Sequence, residues 1–267
     1  MGEQSVHLRN IRLILSFDGT DYSGWQRQSN ARTIQGELEE KLAMMTGEKI
    51  VLHGAGRTDS GVHALAMTAH FATRSAIACS SFRSGLNSLL ADSIKVMQVE
   101  EADSSFHSRI SARAKIYQYY FTTAAIVPPH RRLYCAHLPG GFDLEAARRC
   151  LPYLVGRHDF SCFEAAGSRD KAKIGGRGAW RQIFSVSLTS LAGPEPEYLF
   201  EICGDGFLRK MVRNIVGTLI EVGQQRMRVA DFAVLLRQGD RSLAGPTAPA
   251  CGLFLKQIYY DESWSAA

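Results

Sequence analysis

The sequence predicts an α+β fold built from two similar halves with mainly antiparallel sheets, and three observations carry that prediction. Ile11 to Phe17 alternates apolar and polar positions, the period of a half-buried strand. Apolar residues then recur at helical spacing, first at Ile34, Leu38, Leu42 and Met45, and much later from Phe207 to Ile220. The segments before residue 111 run strand, helix, strands, helix, strand, and a similar style resumes after it, although no close sequence repeat is visible. The chain of 267 residues is long enough for one large domain or two fused halves, here taken as 1-111 and 112-267.

In the first half, Ile11, Leu13, Leu15 and Phe17 share one face of the opening strand, and Asp18-Gly19-Thr20 ends it. Tyr22 to Gln28 sets two aromatics, Tyr22 and Trp25, among polar residues, and reads as a surface loop exposing both. A helix starts near Thr33, with Glu37 and Lys41 spaced for an ion pair on its outer side. Lys49 to His53 reads as a strand leading into a glycine-rich loop, and Ala66 to Thr73 as a strand leaving it. A helix at about Phe82 to Leu90 and a strand through Ile94, Val96 and Val99 complete this half.

The basic connector Phe106 to Arg113 leads to an aromatic strand, Tyr117 to Phe121. Asp143 is placed as the N-cap of a helix through Leu144, Ala147 and Leu151, which Pro152 should bend or end. Strands are expected at Ile183 to Leu188 and Tyr198 to Cys203. The strongest helix is expected directly after Gly206, with Arg209 and Arg213 one turn apart on the border of its stripe. A shorter helix from Val229 to Leu236 and a strand from Phe254 to Tyr260 follow. Glu164 to Trp180 is rich in glycine, lysine and arginine, and reads as a solvated loop or as a basic finger closing on a polyanion.

Composition is that of an ordinary globular chain, 45% hydrophobic and 21% charged. Lys and Arg outnumber Asp and Glu by 31 to 26, a modest excess compatible with a nucleic-acid partner. The six cysteines are scattered with no C-x-x-C pair, which argues against a disulfide framework or a zinc ribbon and favours a reducing cytoplasm. No apolar run approaches the ~20 residues of a membrane span, so a cytoplasmic location without a membrane is expected.

Gly54 to His63 concentrates the chemistry, with three glycines around Arg57 and Asp59. Glycines allow a tight loop that holds polar side chains toward something large, and an adjacent guanidinium favours an ionised carboxylate. The loop begins like the dinucleotide fingerprint G-x-G-x-x-G, but Asp59 occupies the third glycine position, where a carboxylate would repel a pyrophosphate. Gly204-Asp205-Gly206 fails the same test at Arg209, and no phosphate-binding G-x-x-x-x-G-K-[ST] or metal-binding H-E-x-x-H is present. His130, Cys135 and His137 form only a weak metal-like cluster, so neither a metal nor a cofactor is expected. Taken alone, Asp59 would more often be a turn residue than a catalyst, Tyr117 a sheet residue, and Arg209 and Arg213 a solvated helix face.

Gly56-Arg57-Thr58-Asp59-Ser60-Gly61-Val62-His63-Ala64 resembles the signature of the bacterial tRNA pseudouridine synthase A family. Further blocks resemble the family in order: Phe17-Asp18-Gly19-Thr20 with Gly24-Trp25-Gln26, Thr33-Ile34-Gln35, Phe106-His107-Ser108-Arg109, Tyr117-Gln118-Tyr119, Gly156 to Phe160, Gly206 to Arg213 and Gly245 to Ala250. The departures are mild, with Ser60 where the family commonly has Ala and Lys115 where it commonly has Arg.

The resemblance implies that the two halves join into one pseudouridine-synthase-type sheet with an active-site cleft between them. It also implies conversion of uridine to pseudouridine in the tRNA anticodon stem-loop, at positions 38 to 40, by a homodimer. The N-glycosidic bond breaks, the uracil turns, and a bond forms at C5, with no external donor consumed. Asp59 would be the catalytic carboxylate, as a nucleophile on sugar or base or as a base at the ribose. Arg57 would fill the space of a flipped nucleotide or pair with Asp59, Tyr117 would stack on the uracil or carry its proton, and Arg213 would orient Asp59, with Arg209 contacting phosphate. Arg27, Arg109, Arg113, Lys115 and the Lys and Arg residues of the 164–180 insert could track the RNA backbone.

Two other classes compete with this reading. In a non-catalytic RNA-binding module, Tyr117, Tyr119 and Phe121 would stack bases, but the RNA-recognition-motif consensus is missing. A metal-dependent phosphate hydrolase would need a second carboxylate near the loop, and none stands there.

Overall fold

The opening alternation becomes β1 (Arg9–Phe17) in the computed structural model, which describes residues 7–167, 177–193 and 195–266. Ile11, Leu13, Leu15 and Phe17 are all buried, as a period-two pattern on a one-sided sheet requires. Helix α1 (Ile34–Thr46) starts where Thr33 accepts a hydrogen bond from the Gly36 N–H, and its Ile34, Leu38 and Leu42 turn inward. The expected Glu37–Lys41 pair does not form. Arg32, whose guanidinium also lies 4.8 Å from the Tyr22 ring centre, takes Glu37, and Lys41 pairs with Glu40.

Of the strand expected at Lys49 to His53, only His53 joins a ladder, with Gly54, as β2 (His53–Gly54). The reason lies one residue earlier. The N–H and C=O of Leu52 are hydrogen-bonded to the side chains of Glu39 and Gln35 instead of to a neighbouring strand. β2 pairs antiparallel with β3 (His63–Thr73), which is followed by α2 (Cys79–Leu89) and β4 (Ile94–Ala102). In α2, Phe82 and Leu86 are buried, whereas Leu89 is exposed. β1 lies between β3 and β4 and is antiparallel to both.

The second unit opens with β5 (Ala114–Thr122), beside which the short β6 (Ala136–His137) runs parallel. Asp143 caps α3 (Leu144–Arg148) by accepting the Ala146 N–H, but the helix ends at Arg148, short of the expected Leu151, which instead opens a 3₁₀ turn at Leu151–Leu154 that contains Pro152. β7 (Gly156–Asp159), β8 (Trp180–Ser190) and β9 (Glu197–Gly204) complete an antiparallel run in the order β5-β9-β8-β7.

Helix α4 (Met211–Gly223) carries the strongest apolar face, burying Met211, Val212, Ile215, Val216, Leu219 and Ile220. Burial of side chains of this size contributes about 1.5–3 kcal/mol each. The helix begins four residues later than expected, because Lys210 adopts a left-handed φ of 59° and separates Phe207 and Leu208 from the helical turns. Arg209 therefore precedes the helix instead of sharing its border with Arg213.

α5 (Val229–Gln238) and β10 (Leu253–Tyr259) close the chain. β10 follows β3 in strand order, and the Arg113 N–H donates to the Tyr259 carbonyl. The chain thus divides into two units, Met1–Arg113 with Leu255–Ala267, and Ala114–Phe254. Arg169, Lys171, Lys173, Gly175 and Gly176 of the expected basic insert lie outside the described residues. No helix among the described residues is long and apolar enough to cross a membrane.

Candidate active site

The loop between β2 and β3 is held from two sides. On one side the Ala55 N–H donates to the Thr68 carbonyl of β3 at 2.8 Å, and the Val62 N–H closes a turn onto the Asp59 carbonyl at 3.2 Å. On the other side lies the Tyr22–Trp25 segment. The Trp25 N–H donates to the Thr58 carbonyl at 3.1 Å, while the Ser60 hydroxyl and the Gly61 N–H both donate to the Tyr22 carbonyl, at 3.1 and 3.4 Å. Gly24 makes this approach possible: its φ is +87°, and a Cβ there would stand 2.5 Å from the Thr58 carbonyl oxygen. Within the loop so fixed, Thr58 is buried, Asp59 is half-buried and Arg57 is exposed.

Tyr22 and Trp25 are not the surface aromatics expected, being only 1% and 2% exposed. The Trp25 indole packs against Phe17, with ring centres 6.2 Å apart, and covers Gly54, where a Cβ would come within 2.5 Å of the indole. The Tyr22 hydroxyl is 2.8 Å from the Ser93 hydroxyl. Both aromatics are core residues that carry the segment gripping the loop.

In the second unit, Tyr117 lies on β5 opposite Ile202 of β9 and is 8% exposed, its ring set edge-on to Phe207 at 5.0 Å. Arg213 is half-buried on the first turn of α4, where its Nε donates to the Ala248 carbonyl at 2.7 Å and the Ala248 N–H donates back to the Arg213 carbonyl at 3.1 Å. The next residue, Asn214, is fully buried. Its amide nitrogen donates to the Phe163 carbonyl, and its amide oxygen accepts from Thr247 and Arg241. These bonds tie the Gly245 to Ala250 segment to α4 beside Arg213. Arg209 is exposed, and its carbonyl accepts the Ala165 N–H.

Among the other nucleophiles of the chain, burial pushes the thiols of Cys150 and Cys162 up to about 12 and those of Cys135 and Cys203 up to about 11. These four remain protonated at neutral pH and are poor nucleophiles.

At β2 and its partner strand β3, three imidazoles that sequence reading did not single out pack together: His53 of β2, His70 of β3 and His107. His70 stacks on His53 at 5.0 Å and meets His107 edge-on at 4.6 Å. Burial above all, and then the nearby His107 and His53, push His70 down to about 4. The Ser108 N–H donates to its Nδ1 at 3.2 Å, which requires a lone pair on that nitrogen. Between about 6.5 and 4 the unfolded chain therefore binds a proton that the folded chain does not. The His70 contribution to stability should be complete above about 6.5 and decline as the pH falls toward 4. Urea midpoints measured across that range should fall less steeply for His70→Gln than for the parent; identical slopes would contradict this assignment.

Comparison with known proteins adds to this geometry. The family model for tRNA pseudouridine synthase matches residues 13–109 and 151–261, which include Arg57, Asp59 and Arg213, with Tyr117 between the two matched stretches. The tRNA pseudouridine synthase A 1 of Desulfotalea psychrophila is 49% identical over 253 residues, covering 95% of this chain and 100% of that one. The corresponding tRNA pseudouridine synthase A of Citrifermentans bemidjiense is 45% identical over 257 residues, with 96% and 99% covered. That of Acetivibrio thermocellus is 41% identical, with 95% and 100% covered. The chain belongs to the tRNA pseudouridine synthase A family.

Proposed function

We propose that the protein is an isomerase that converts uridine to pseudouridine in the anticodon stem-loop of tRNA, acting in the cytoplasm as a homodimer. The observation that carries this reading is the Asp59 loop of a family member, pinned by backbone hydrogen bonds to β3 on one side and to Tyr22–Trp25 on the other. A carboxylate that must meet one atom of one nucleotide gains from being held in place before the substrate arrives.

A uridine stacked in an RNA stem is out of reach of any carboxylate, so it must turn out of the helix at a cost of a few kcal/mol. Arg57, exposed two residues from Asp59, is the residue to occupy the space left behind. Asp59 is the catalytic carboxylate that labilises the glycosidic bond. Tyr117 stacks on the detached uracil while it turns, and Arg213 orients Asp59. Backbone phosphates supply most of the affinity, so binding should weaken as salt rises.

The test uses tRNA carrying tritium at uracil C5, because formation of the new carbon–carbon bond releases that hydrogen. The protein should release tritium from tRNA with no added cofactor. Binding of tRNA without release from any tRNA would favour the RNA-binding module and overturn this reading.

A further inference from the structure

Two polar side chains on α1 are buried where an amphipathic helix would ordinarily present apolar ones. Gln35 is 8% and Glu39 6% exposed, one turn apart. Burying a carboxylate costs several kcal/mol unless hydrogen bonds and a countercharge offset it. Here every offsetting partner outside the helix belongs to one of two segments. Glu39 Oε1 accepts the Leu52 N–H at 2.9 Å and the Gln35 amide at 3.0 Å, and its Oε2 accepts from the Arg27 guanidinium at 2.9 Å. Gln35 donates to the Leu52 carbonyl at 3.0 Å, while its amide oxygen accepts from the Gln26 side chain and the Arg27 N–H. The Gln35 N–H also donates to the Trp25 carbonyl at 3.0 Å.

Leu52 directly precedes β2 and the loop, and Trp25 is the residue whose N–H holds the Thr58 carbonyl. We propose that Gln35 and Glu39 are positioning residues for Asp59, one helical turn that sets both the strand end entering the loop and the segment gripping it. The inference rests on the reading of Asp59 given above. It also reassigns Arg27. Although its side chain is 63% exposed, its guanidinium serves as the countercharge of a buried carboxylate and not as a phosphate contact.

The experiment compares single-turnover tritium release and tRNA affinity for Glu39→Gln, Arg27→Gln and the double variant. Whichever way the new amide of Glu39→Gln turns, its NH₂ meets a donor, either Arg27 or the Leu52 N–H and Gln35 amide. The rate at saturation should fall roughly 10- to 100-fold, the scale of a small misplacement of a reacting group, while affinity stays within about twofold. Arg27→Gln leaves both Oε1 bonds in place and should lose part of that rate with affinity and salt dependence unchanged. The double variant should lose no more than Glu39→Gln, because the pair is already broken.

A full rate in folded Glu39→Gln would overturn the proposal. So would a loss in Arg27→Gln that appears in affinity with a shallower salt dependence. If Glu39→Gln shows no cooperative unfolding transition, Arg27→Gln alone decides. Backbone amide exchange at Leu52, Trp25 and Ala55 should be faster in the variants. Should the parent release no tritium, the reaction assignment fails, and exchange at those three amides still decides whether the pair holds the loop.

Discussion

Asp59→Ala is expected to release no measurable tritium from tRNA, a loss of at least roughly a thousand-fold, as befits removal of a group that takes part in bond breaking. Its affinity for tRNA should stay close to that of the parent, because phosphate contacts dominate binding and Asp59 contributes none. The fold should also survive. The loop contacts described above run through backbone groups, among them the Asp59 and Thr58 carbonyls, and through the Ser60 hydroxyl, all of which alanine at position 59 leaves in place. Asp59→Asn, nearly the same shape without the charge, should be equally inactive, separating loss of the carboxylate from loss of packing. Tritium release by either variant at more than about a tenth of the parental rate would remove Asp59 from the chemistry.

Trp25→Ala is the substitution expected to cost most stability. The indole is fully enclosed, packed against Phe17 and lying over Gly54, so truncation leaves a cavity against β2. Large aromatic-to-alanine changes in cores cost about 3–5 kcal/mol. The effect should reach the loop as well, since the Trp25 N–H holds the Thr58 carbonyl one residue from Asp59. Urea unfolding should show the lower midpoint, and tritium release at a temperature where the variant remains folded should be slower than the parental rate. A stability loss under about 1 kcal/mol, ordinary for a surface position, would show that the indole is not a core element.

Local periodicity made much of the fold legible. β1 and the inward faces of α1 and α4 follow directly from apolar spacing, and the Asp143 cap follows from residue chemistry. The misreadings share a cause, in that the deciding partner is distant in sequence or is a side chain. Trp25 sits among Ser23, Gln26, Arg27 and Gln28, which read as surface, and its burial is decided by Phe17 and Gly54. Lys49 to Leu52 looks like a strand until the side chains of Gln35 and Glu39 capture the backbone groups of Leu52. The apolar stripe of α4 extends back through Phe207 and Leu208, and only a left-handed Lys210, which no apolar pattern records, cuts it short.

The candidate site divides in the same way. The glycines around Arg57 and Asp59 advertise a loop on composition alone. Its supports do not, because Gln35 and Glu39 look like the polar positions of any amphipathic helix, and Ser108 and His70 are 38 residues apart. A signal was present in Thr33-Ile34-Gln35, one of the blocks resembling the family, but periodicity assigns such a glutamine to solvent.

The grip of Tyr22–Trp25 on the Asp59 loop bears on what can be moved between proteins. Residues 54–63 carry the motif, yet the Thr58 carbonyl, the Ser60 hydroxyl and the Gly61 N–H all find their partners more than thirty residues upstream. The motif is therefore not a portable cassette. Grafted alone onto another hairpin, it would keep its side chains and lose the frame that aims them. Any transferable unit is discontinuous: it needs residues 22–39 and 52–70, together with Phe17 under Trp25 and Ser93 beside the Tyr22 hydroxyl.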